Sequence, residues 1–200
     1  MSDHHDDIDM SEVYQLPHQE VSLSGFPPGE EWILDIGGGG EGIIGRIKGR
    51  QVVAIDKRKP ELEGTTSDAL KLVMDAKELQ FLENSFGTVT IFFTLMYMPL
   101  EDLDTIFSEI ARVLKPGGEL LMWDVKVEIP PDLDPKVKYF MVPLTVTFPD
   151  GTTNETGYGA YIRNQNMDSF VTVATEHGFE LEETKANDLT FYARLSLRKG

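Results

Sequence analysis

The sequence predicts an α/β fold built on a doubly wound, parallel β-sheet. Four short apolar runs, each bounded by turn residues, are typical of strands that are buried on both faces. The stretches between them have helical spacing, and strands that alternate with helices form right-handed βαβ units. The four predicted strands are residues 32–36, 51–55, 88–95 and 119–125.

An acidic arm, residues 1–30, precedes the predicted domain, residues 31–200. The chain carries 34 acidic and 18 basic residues, a net charge of −16, and its first 31 residues hold eight of the acids and no Lys or Arg. We expect the beginning of the arm to be poorly ordered. We then expect it to dock through apolar side chains, namely Val13, Tyr14, Leu16, Val21 and Leu23. The early cluster His4, His5, Asp6 and Asp7 favours a solvated tail over a metal site.

The composition excludes several classes of protein. A strongly negative field repels phosphate backbones and anionic membrane surfaces, so we expect neither nucleic acid nor a membrane as partner. No window approaches the ~18 uninterrupted apolar residues of a membrane span. The acidic N-terminus differs from a secretory signal, which indicates a cytoplasmic protein. The absence of cysteine excludes disulfides, thiolate metal sites and a cysteine nucleophile.

A helix is predicted before the fourth strand. Its apolar residues recur at i, i+3 and i+4, and the segment Lys-Pro-Gly-Gly at 115–118 should end it sharply. The stripe consists of Leu103, Ile106, Phe107, Ile110, Ala111 and Leu114.

The last third of the chain predicts an insertion followed by the end of the domain. Within residues 126–164, the alternating run 144–148, a turn at 149–151 and a return at 157–162 indicate a β-hairpin. We interpret the insertion as a lid that shapes an acceptor pocket or a dimer contact, and both options stay open. A helix over 168–177 and strands over 179–183 and 189–198, joined by a turn at 185–188, complete the prediction.

The glycine-rich loop after the first strand is the first sign of chemistry. Four consecutive glycines follow Ile36, and such glycines let the backbone approach a ligand closely at the carboxyl end of a strand. Residues 37–42 also satisfy G-x-G-x-x-G, and Asp56 stands 19 residues after Gly37, so a nicotinamide dinucleotide is one candidate ligand. Asp35 would repel a pyrophosphate, however, and it suits an ammonium or sulfonium group instead.

Four motifs in order resemble those of class I S-adenosylmethionine-dependent methyltransferases. They are the run Asp-Ile-Gly-Gly-Gly at 35–39, Asp56, the pair Asp75 and Ala76, and the run Ala-Arg-Val-Leu-Lys-Pro-Gly-Gly at 111–118. The similarity spans residues 32–124 and returns at 168–178. The resemblance implies a Rossmann-like methyltransferase fold with a mostly parallel sheet of seven strands, and S-adenosylmethionine as cofactor.

The resemblance also implies a set of residues at the methionine end of that cofactor. Three glycines would lie under the methionine part, with Asp35 near its ammonium group. Apolar residues at the end of the third predicted strand, Phe92 and Phe93, would flank the cofactor. The three glycines are Gly37, Gly38 and Gly39.

At the nucleoside end, the resemblance assigns roles to two further acids. Asp56 would hold the two ribose hydroxyls, with Lys57 beside it. Asp75 would accept a hydrogen bond from the adenine amino group, with the backbone of Ala76 adjacent. Carboxylates paired with hydroxyl and amino donors are chemically consistent with these roles.

The chain departs from the family pattern where the acceptor is expected. Glu41 replaces the last glycine of the loop, Gly87 stands where the family has an acid, and Met96 and Tyr97 replace a histidine-rich stretch. Methyl transfer needs a base only if the acceptor must lose a proton, and the candidates are Asp124 and Tyr97.

Three functions remain open from the sequence. The first is methyl transfer to a small molecule, with a homodimer as one option. The second is a nicotinamide-dependent oxidoreductase, which rests on the literal G-x-G-x-x-G. The third is a catalytically silent cofactor-binding module, which rests on the missing base.

Overall fold

The computed structural model describes residues 9–27 and 29–198, which form two compact units. The core unit consists of Pro27–Lys126 and Asn166–Gly200, and the insertion unit consists of the residues up to Phe26 together with Val127–Gln165. The predicted solvated cluster at residues 4–7 lies outside the described residues. Within the described part of the chain, no helix has the length and apolar character that a membrane crossing requires.

The described residues form eleven strands and four α-helices, numbered here in chain order. The strands are β1 (Val13–Gln15), β2 (Gln19–Ser22), β3 (Ile33–Ile36), β4 (Val52–Asp56), β5 (Leu70–Val73), β6 (Phe86–Phe92), β7 (Leu114–Val125), β8 (Tyr139–Thr147), β9 (Thr153–Tyr161), β10 (Phe179–Ala186) and β11 (Thr190–Leu197). The helices are α1 (Ile43–Lys48), α2 (Lys59–Gly64), α3 (Leu103–Val113) and α4 (Met167–Glu176).

The sheet of the core unit has seven strands in the order β10-β11-β7-β6-β3-β4-β5. The pairs between β7 and β5 are parallel, whereas β11 runs antiparallel to both of its neighbours. The predicted fold class, a mostly parallel seven-stranded sheet, is confirmed. The carboxyl ends of β3, β4 and β5 therefore lie side by side at one edge of the sheet, which is where open α/β sheets bind ligands.

Helix α3 supplies one side of the hydrophobic core, as its spacing predicts. Its buried residues are Leu103, Ile106, Phe107, Ile110 and Val113, and the core also includes Phe170 and Ala174 of α4. A stripe at i, i+3 and i+4 covers one face of a helix, so these side chains all point at the sheet. Burying one such side chain contributes roughly 1.5–3 kcal/mol to folding.

The bounds of several predicted elements differ from the structure, and one strand was not predicted. Helix α3 ends at Val113 and not at the segment 115–118, because Leu114 and that segment belong to β7. Residue 95 belongs to a 3₁₀ turn rather than to the strand, because β6 ends at Phe92. The predicted turn at 185–188 begins later, since Lys185 and Ala186 extend β10 by pairing with β11. Strand β5 went unpredicted because it is an edge strand of four residues whose Leu70 and Val73 remain exposed, so it lacks the pattern of a buried strand.

The insertion unit contains the predicted β-hairpin, β8 and β9, in a sheet that the sequence did not reveal. Burial alternates strictly along β8, with Phe140, Val142, Leu144 and Val146 buried, as the period of two requires. Strands β1 and β2 of the arm both pair in parallel with β8. The arm and the hairpin thus fold as one four-stranded sheet, while the role of the hairpin as a lid stays a prediction.

Candidate functional site

In the glycine loop between β3 and α1, most of the backbone amides donate hydrogen bonds to carbonyls of the protein itself. The amides of Gly37 and Gly38 both donate to the carbonyl of Ile55, at 2.8 and 3.1 Å, and the amide of Gly40 donates to the carbonyl of Glu61 at 2.9 Å. A loop that holds phosphate instead directs free amides at its ligand. The loop is therefore shaped for close approach by a ligand and not as a phosphate cradle.

Glycine is required at three successive positions for three different reasons. Gly37 has φ +74°, and a Cβ there would overlap the side chain of Thr94. A Cβ on Gly38 would lie 2.5 Å from Oδ2 of Asp35. A Cβ on Gly39 would lie 2.5 Å from Cβ of Glu61 and 2.9 Å from an oxygen of Asp56. The loop is thus pressed between β6, β3 and the start of α2.

Asp35 is a buried carboxylate beneath the loop. Its side chain is 2% exposed, and its Oδ1 accepts a 2.7 Å hydrogen bond from the hydroxyl of Thr90 on the neighbouring strand. Burial raises its pKa to about 7, the hydrogen bond from Thr90 opposes that rise, and the charge of Asp56 adds to it. The carboxylate lies beside Gly38 and is almost fully buried, and its place near the ammonium group of the cofactor stays a prediction.

Asp56 presents one oxygen to the loop and uses the other to fix its own backbone. Oδ1 accepts the amide hydrogen of Arg58 at 2.8 Å, and Oδ2 lies beside Gly39. The side chain is intermediate in exposure, so a ligand can reach it. Capping a turn and binding a ribose are compatible roles for this carboxylate, since each uses a different oxygen.

Asp75 lies two residues beyond the end of β5, and it pairs with the residue that follows Asp56. Nζ of Lys57 is 3.1 Å from Oδ2 of Asp75, and the amide of Lys77 donates to Oδ1 at 2.9 Å. The hydrogen bond from Lys77, aided by Lys57, keeps the pKa of Asp75 lowered although burial opposes it. Asp75 and Lys57 are 39% and 56% exposed, and Ala76 beside them is buried.

Phe92 and Phe93 end β6 in a packed aromatic cluster. Their rings meet edge to face at 4.9 Å, and the ring of Phe92 lies 5.8 Å from that of Trp123. Phe93 has φ +49°, a conformation that costs a bulky residue on the order of 1–3 kcal/mol. This strained residue places Thr94 against Gly37, so the end of β6 is held directly on the glycine loop.

The two candidate bases occupy different environments. Asp124, at the end of β7, is fully buried, and its oxygens accept the amides of Met96 at 3.3 Å and of Val125 at 2.8 Å. Tyr97 lies in the 3₁₀ turn that Asp124 anchors and is 52% exposed. The structure therefore gives Asp124 a clear role in holding the turn that carries Tyr97.

Two threonines of the site were not predicted from the sequence. Thr90 binds Asp35, and its position opposite Asp35 in the register of β3 and β6 is a signal that only correct strand pairing reveals. Thr94 contacts Gly37 through a turn, and nothing in its spacing indicates that contact.

The fold and this site define an α/β protein with a mostly parallel sheet, in which acids at neighbouring strand ends surround a glycine loop. A family model described as a methyltransferase domain matches residues 34–122. The match covers 89 of the 200 residues, and it shows that this part of the chain is similar to methyltransferase domains.

The chain is similar to enzymes of quinone biosynthesis. It is 30% identical over 134 residues to the ubiquinone/menaquinone biosynthesis C-methyltransferase UbiE of Vibrio cholerae, covering 60% of this chain and 49% of the relative. It is 38% identical over 84 residues to the demethylmenaquinone methyltransferase of Bacillus velezensis, covering 40% and 35%. The chain thus spans about half the length of the curated relatives it matches, or less.

A solved structure shows the same fold over nearly the whole chain. The S-adenosylmethionine-dependent methyltransferase of Methanosarcina mazei superimposes with a TM-score of 0.62 at 19% identity, covering 89% of this chain and 97% of that one. At this level of identity the likeness extends to the fold alone.

Proposed function

We propose that this protein transfers a methyl group from S-adenosylmethionine to a small-molecule acceptor. The observation that carries the proposal is the row of Asp35, Asp56 and Asp75 at the ends of three neighbouring strands, around a glycine loop most of whose amides are bonded within the protein. Negative and neutral groups suit a sulfonium cation, whereas a dinucleotide would bring a pyrophosphate next to Asp35.

The residues fit this cofactor at both of its ends. Gly37, Gly38 and Gly39 would support the methionine part of the cofactor. Asp35, which lies beneath the loop, would stabilise the positive charge of the cofactor electrostatically and without direct contact. A buried carboxylate acts strongly on a nearby cation because the local dielectric is low. Phe92 and Phe93 would flank the cofactor from the end of β6.

The nucleoside end is served by the residues after β4 and β5. Asp56 has an oxygen available beside Gly39 for the ribose hydroxyls. Asp75 would accept the hydrogen bond of the adenine amino group next to Ala76. Lys57 would keep Asp75 ionised and in place through their ion pair.

When bound, the cofactor would supply an electrophilic methyl group on a sulfonium sulfur, and its leaving group would be a neutral thioether. The protein therefore contributes mainly alignment of the two reactants and exclusion of water. Asp124 fixes the turn at 95–97, and Tyr97 on that turn is our candidate to contact the acceptor or to take its proton. The buried, amide-bound Asp124 is better suited to holding this turn than to acting as a base.

We further propose that the acceptor is a small molecule. The relatives carry the names of C-methyltransferases in quinone biosynthesis, so a carbon acceptor on an electron-rich ring is the first to test. The insertion leaves the core unit directly after β7, the strand that ends at Asp124 and Val125. A homodimer and a cytoplasmic location stay predictions.

The proposal is tested by calorimetry followed by a turnover assay. We expect S-adenosylmethionine and S-adenosylhomocysteine to bind. NAD should give no heat of binding, because most of the loop amides that would hold a pyrophosphate are bonded within the protein. Mass spectrometry of a panel of hydroxylated aromatic acceptors should then show the gain of one methyl group. Binding of NAD in preference to both S-adenosyl compounds would contradict the proposal.

The same assay distinguishes a methyltransferase from the alternative, a catalytically silent cofactor-binding module. If S-adenosylmethionine binds and no acceptor of any class is methylated, the binding half of the proposal stands and the catalytic half fails. Deletion of residues 126–164 should spare cofactor binding and abolish acceptor specificity, and unchanged turnover would refute the role of the insertion.

A further inference from the structure

The segment that carries Asp75 is fastened by a residue of a distant helix. Residues 75–81, called here the base loop, follow β5 without regular structure. The carbonyls of Leu79 and Phe81 accept hydrogen bonds from the two terminal nitrogens of Arg112 on α3, both at 2.8 Å. The amide of Leu79 donates to Glu109 on the same helix at 2.7 Å. Three backbone groups of the base loop are thus bound by two side chains.

Arg112 and Glu109 form a rigid unit. Nε of Arg112 is 2.7 Å from Oε1 of Glu109, and Nη2 is 2.8 Å from Oε2, which is the bidentate arrangement of a guanidinium and a carboxylate. The side chains are only 32% and 20% exposed, and the hydrogen bonds from Arg112 keep the pKa of Glu109 below its usual value. A lysine could not replace this planar fork, which serves one carboxylate and two carbonyls at once.

The fastening reaches Asp75 through a short, ordered turn. The amide of Glu78 donates to the carbonyl of Asp75 at 3.1 Å, and the amide of Lys77 donates to its side chain at 2.9 Å. Leu79, the next residue, is buried and is the one that Arg112 and Glu109 bind on both of its backbone groups. The position of the Asp75 carboxylate is therefore set from one side by this turn and from the other by Lys57.

We propose that Arg112 and Glu109 are positioning residues for recognition of the cofactor's base, acting through the base loop on Asp75. The inference rests on the proposed function, because it takes Asp75 as acceptor for the adenine amino group. That hydrogen bond needs a carboxylate fixed in place, and a loop that loses its fastening spreads Asp75 over many positions. The run at 111–118 then has a purpose beyond ending a helix, since its arginine orders the base loop.

A purely structural clamp predicts something different. If Arg112 and Glu109 were only a structural clamp, mutating them would lower the stability of the whole fold and weaken the binding of all ligands equally. A positioning role lowers the preference for an amino group over a carbonyl at the same place on the purine. Arg194 offers a matched control, since it is 34% exposed, pairs with Glu119 at 3.0 Å, and lies on β11, far from β5 in the strand order.

The test compares S-adenosylhomocysteine with S-inosylhomocysteine, whose carbonyl replaces the amino group. We expect the wild type to prefer the adenosyl compound by about tenfold or more, because the carbonyl leaves Asp75 facing a second acceptor. Arg112→Gln should weaken the adenosyl compound by about tenfold and leave the inosyl compound nearly unchanged. Arg194→Gln should keep the wild-type ratio, and Glu109→Gln, a milder change, should reduce it in part.

The outcomes separate the inference from the proposal beneath it. A folded Arg112→Gln variant that keeps the wild-type ratio overturns the inference, as does an equal loss for both compounds. If Arg112→Gln does not fold, Glu109→Gln decides the matter by the same ratio. A wild type that binds neither compound would defeat the proposed function itself.

Discussion

The two ends of the acid row are in opposite physical states, although both aspartates follow strands of one sheet. Asp35 is 2% exposed, and burial raises its pKa to about 7. Asp75 is 39% exposed, pairs with Lys57 and has a lowered pKa. The comparison teaches that a strand end fixes where a carboxylate lies, while packing decides when it is charged.

The opposite shifts have opposite consequences for stability. A raised pKa in the folded state means that the folded chain binds more protons than the unfolded chain, so the stability due to Asp35 is lost as pH rises from about 4 through 7. A lowered pKa means that the contribution of Asp75 is present at neutral pH and is lost as the solution becomes acidic. The buried end of the row thus costs stability at the pH where the exposed end adds to it.

The largest expected effect comes from removing the charge of Asp35. Asp35→Asn keeps an acceptor for Thr90, and it should raise the free energy of unfolding at pH 8 by about 4 kcal/mol, which corresponds to the shift from 3.8 to about 7. At pH 4 the two proteins should be equally stable. Urea denaturation at both pH values checks this, and a gain of the same size at pH 4 would show that burial of the charge is not its cause.

The close packing on the Asp35 side is tested at Gly37. Gly37→Ala combines a positive φ with overlap on Thr94, and it should cost about 3 kcal/mol. Gly49→Ala is the matched control, because Gly49 has φ +54° but nothing within 4 Å of its Cβ position, so its cost should be about 1–2 kcal/mol. Thermal unfolding of the two variants checks the difference, and equal costs would mean that Thr94 simply moves aside.

A smaller effect is expected from the hydroxyl that supports Asp35. Thr90→Val removes the hydrogen bond that holds the pKa of Asp35 down, so that pKa should rise above its value of about 7. The stability at pH 8 should fall by about 1–3 kcal/mol, because the buried charge loses its donor. The same substitution in an Asp35→Asn background should cost less, and a double-mutant cycle in urea measures this coupling.

The smallest effect on stability is expected at the exposed end. Lys57→Met breaks a solvent-exposed ion pair, which is worth about 1 kcal/mol or less. The affinity for S-adenosylhomocysteine should nevertheless fall severalfold, since Asp75 loses the partner that keeps it in place. Calorimetry beside a melting curve checks both, and a large loss of stability with unchanged affinity would reverse our view of the two ends.

Much of the fold could be predicted from the sequence, because local residue patterns are enough to predict individual helices and strands. The stripe of α3 and the alternation of β8 predict their faces, and the motifs at strand ends predict that Asp35, Asp56 and Asp75 come together. What could not be predicted depends on contacts between distant residues. The hydrogen bond that Asp35 accepts comes from Thr90, 55 residues further along, and β1 and β2 pair with β8, which lies in the last third of the chain.

Asp56 uses one oxygen for its own turn, and in the proposed function it offers the other to a ribose. Asp134 makes the same turn, with its Oδ1 accepting the amide of Lys136 at 2.9 Å, and thus gives a matched control. The most direct measurement is calorimetric titration of S-adenosylhomocysteine into the wild type, Asp56→Asn and Asp134→Asn at pH 8. We expect Asp56→Asn to bind at least about tenfold more weakly and Asp134→Asn to bind as the wild type does. Equal affinity in all three proteins would contradict the assignment of this site.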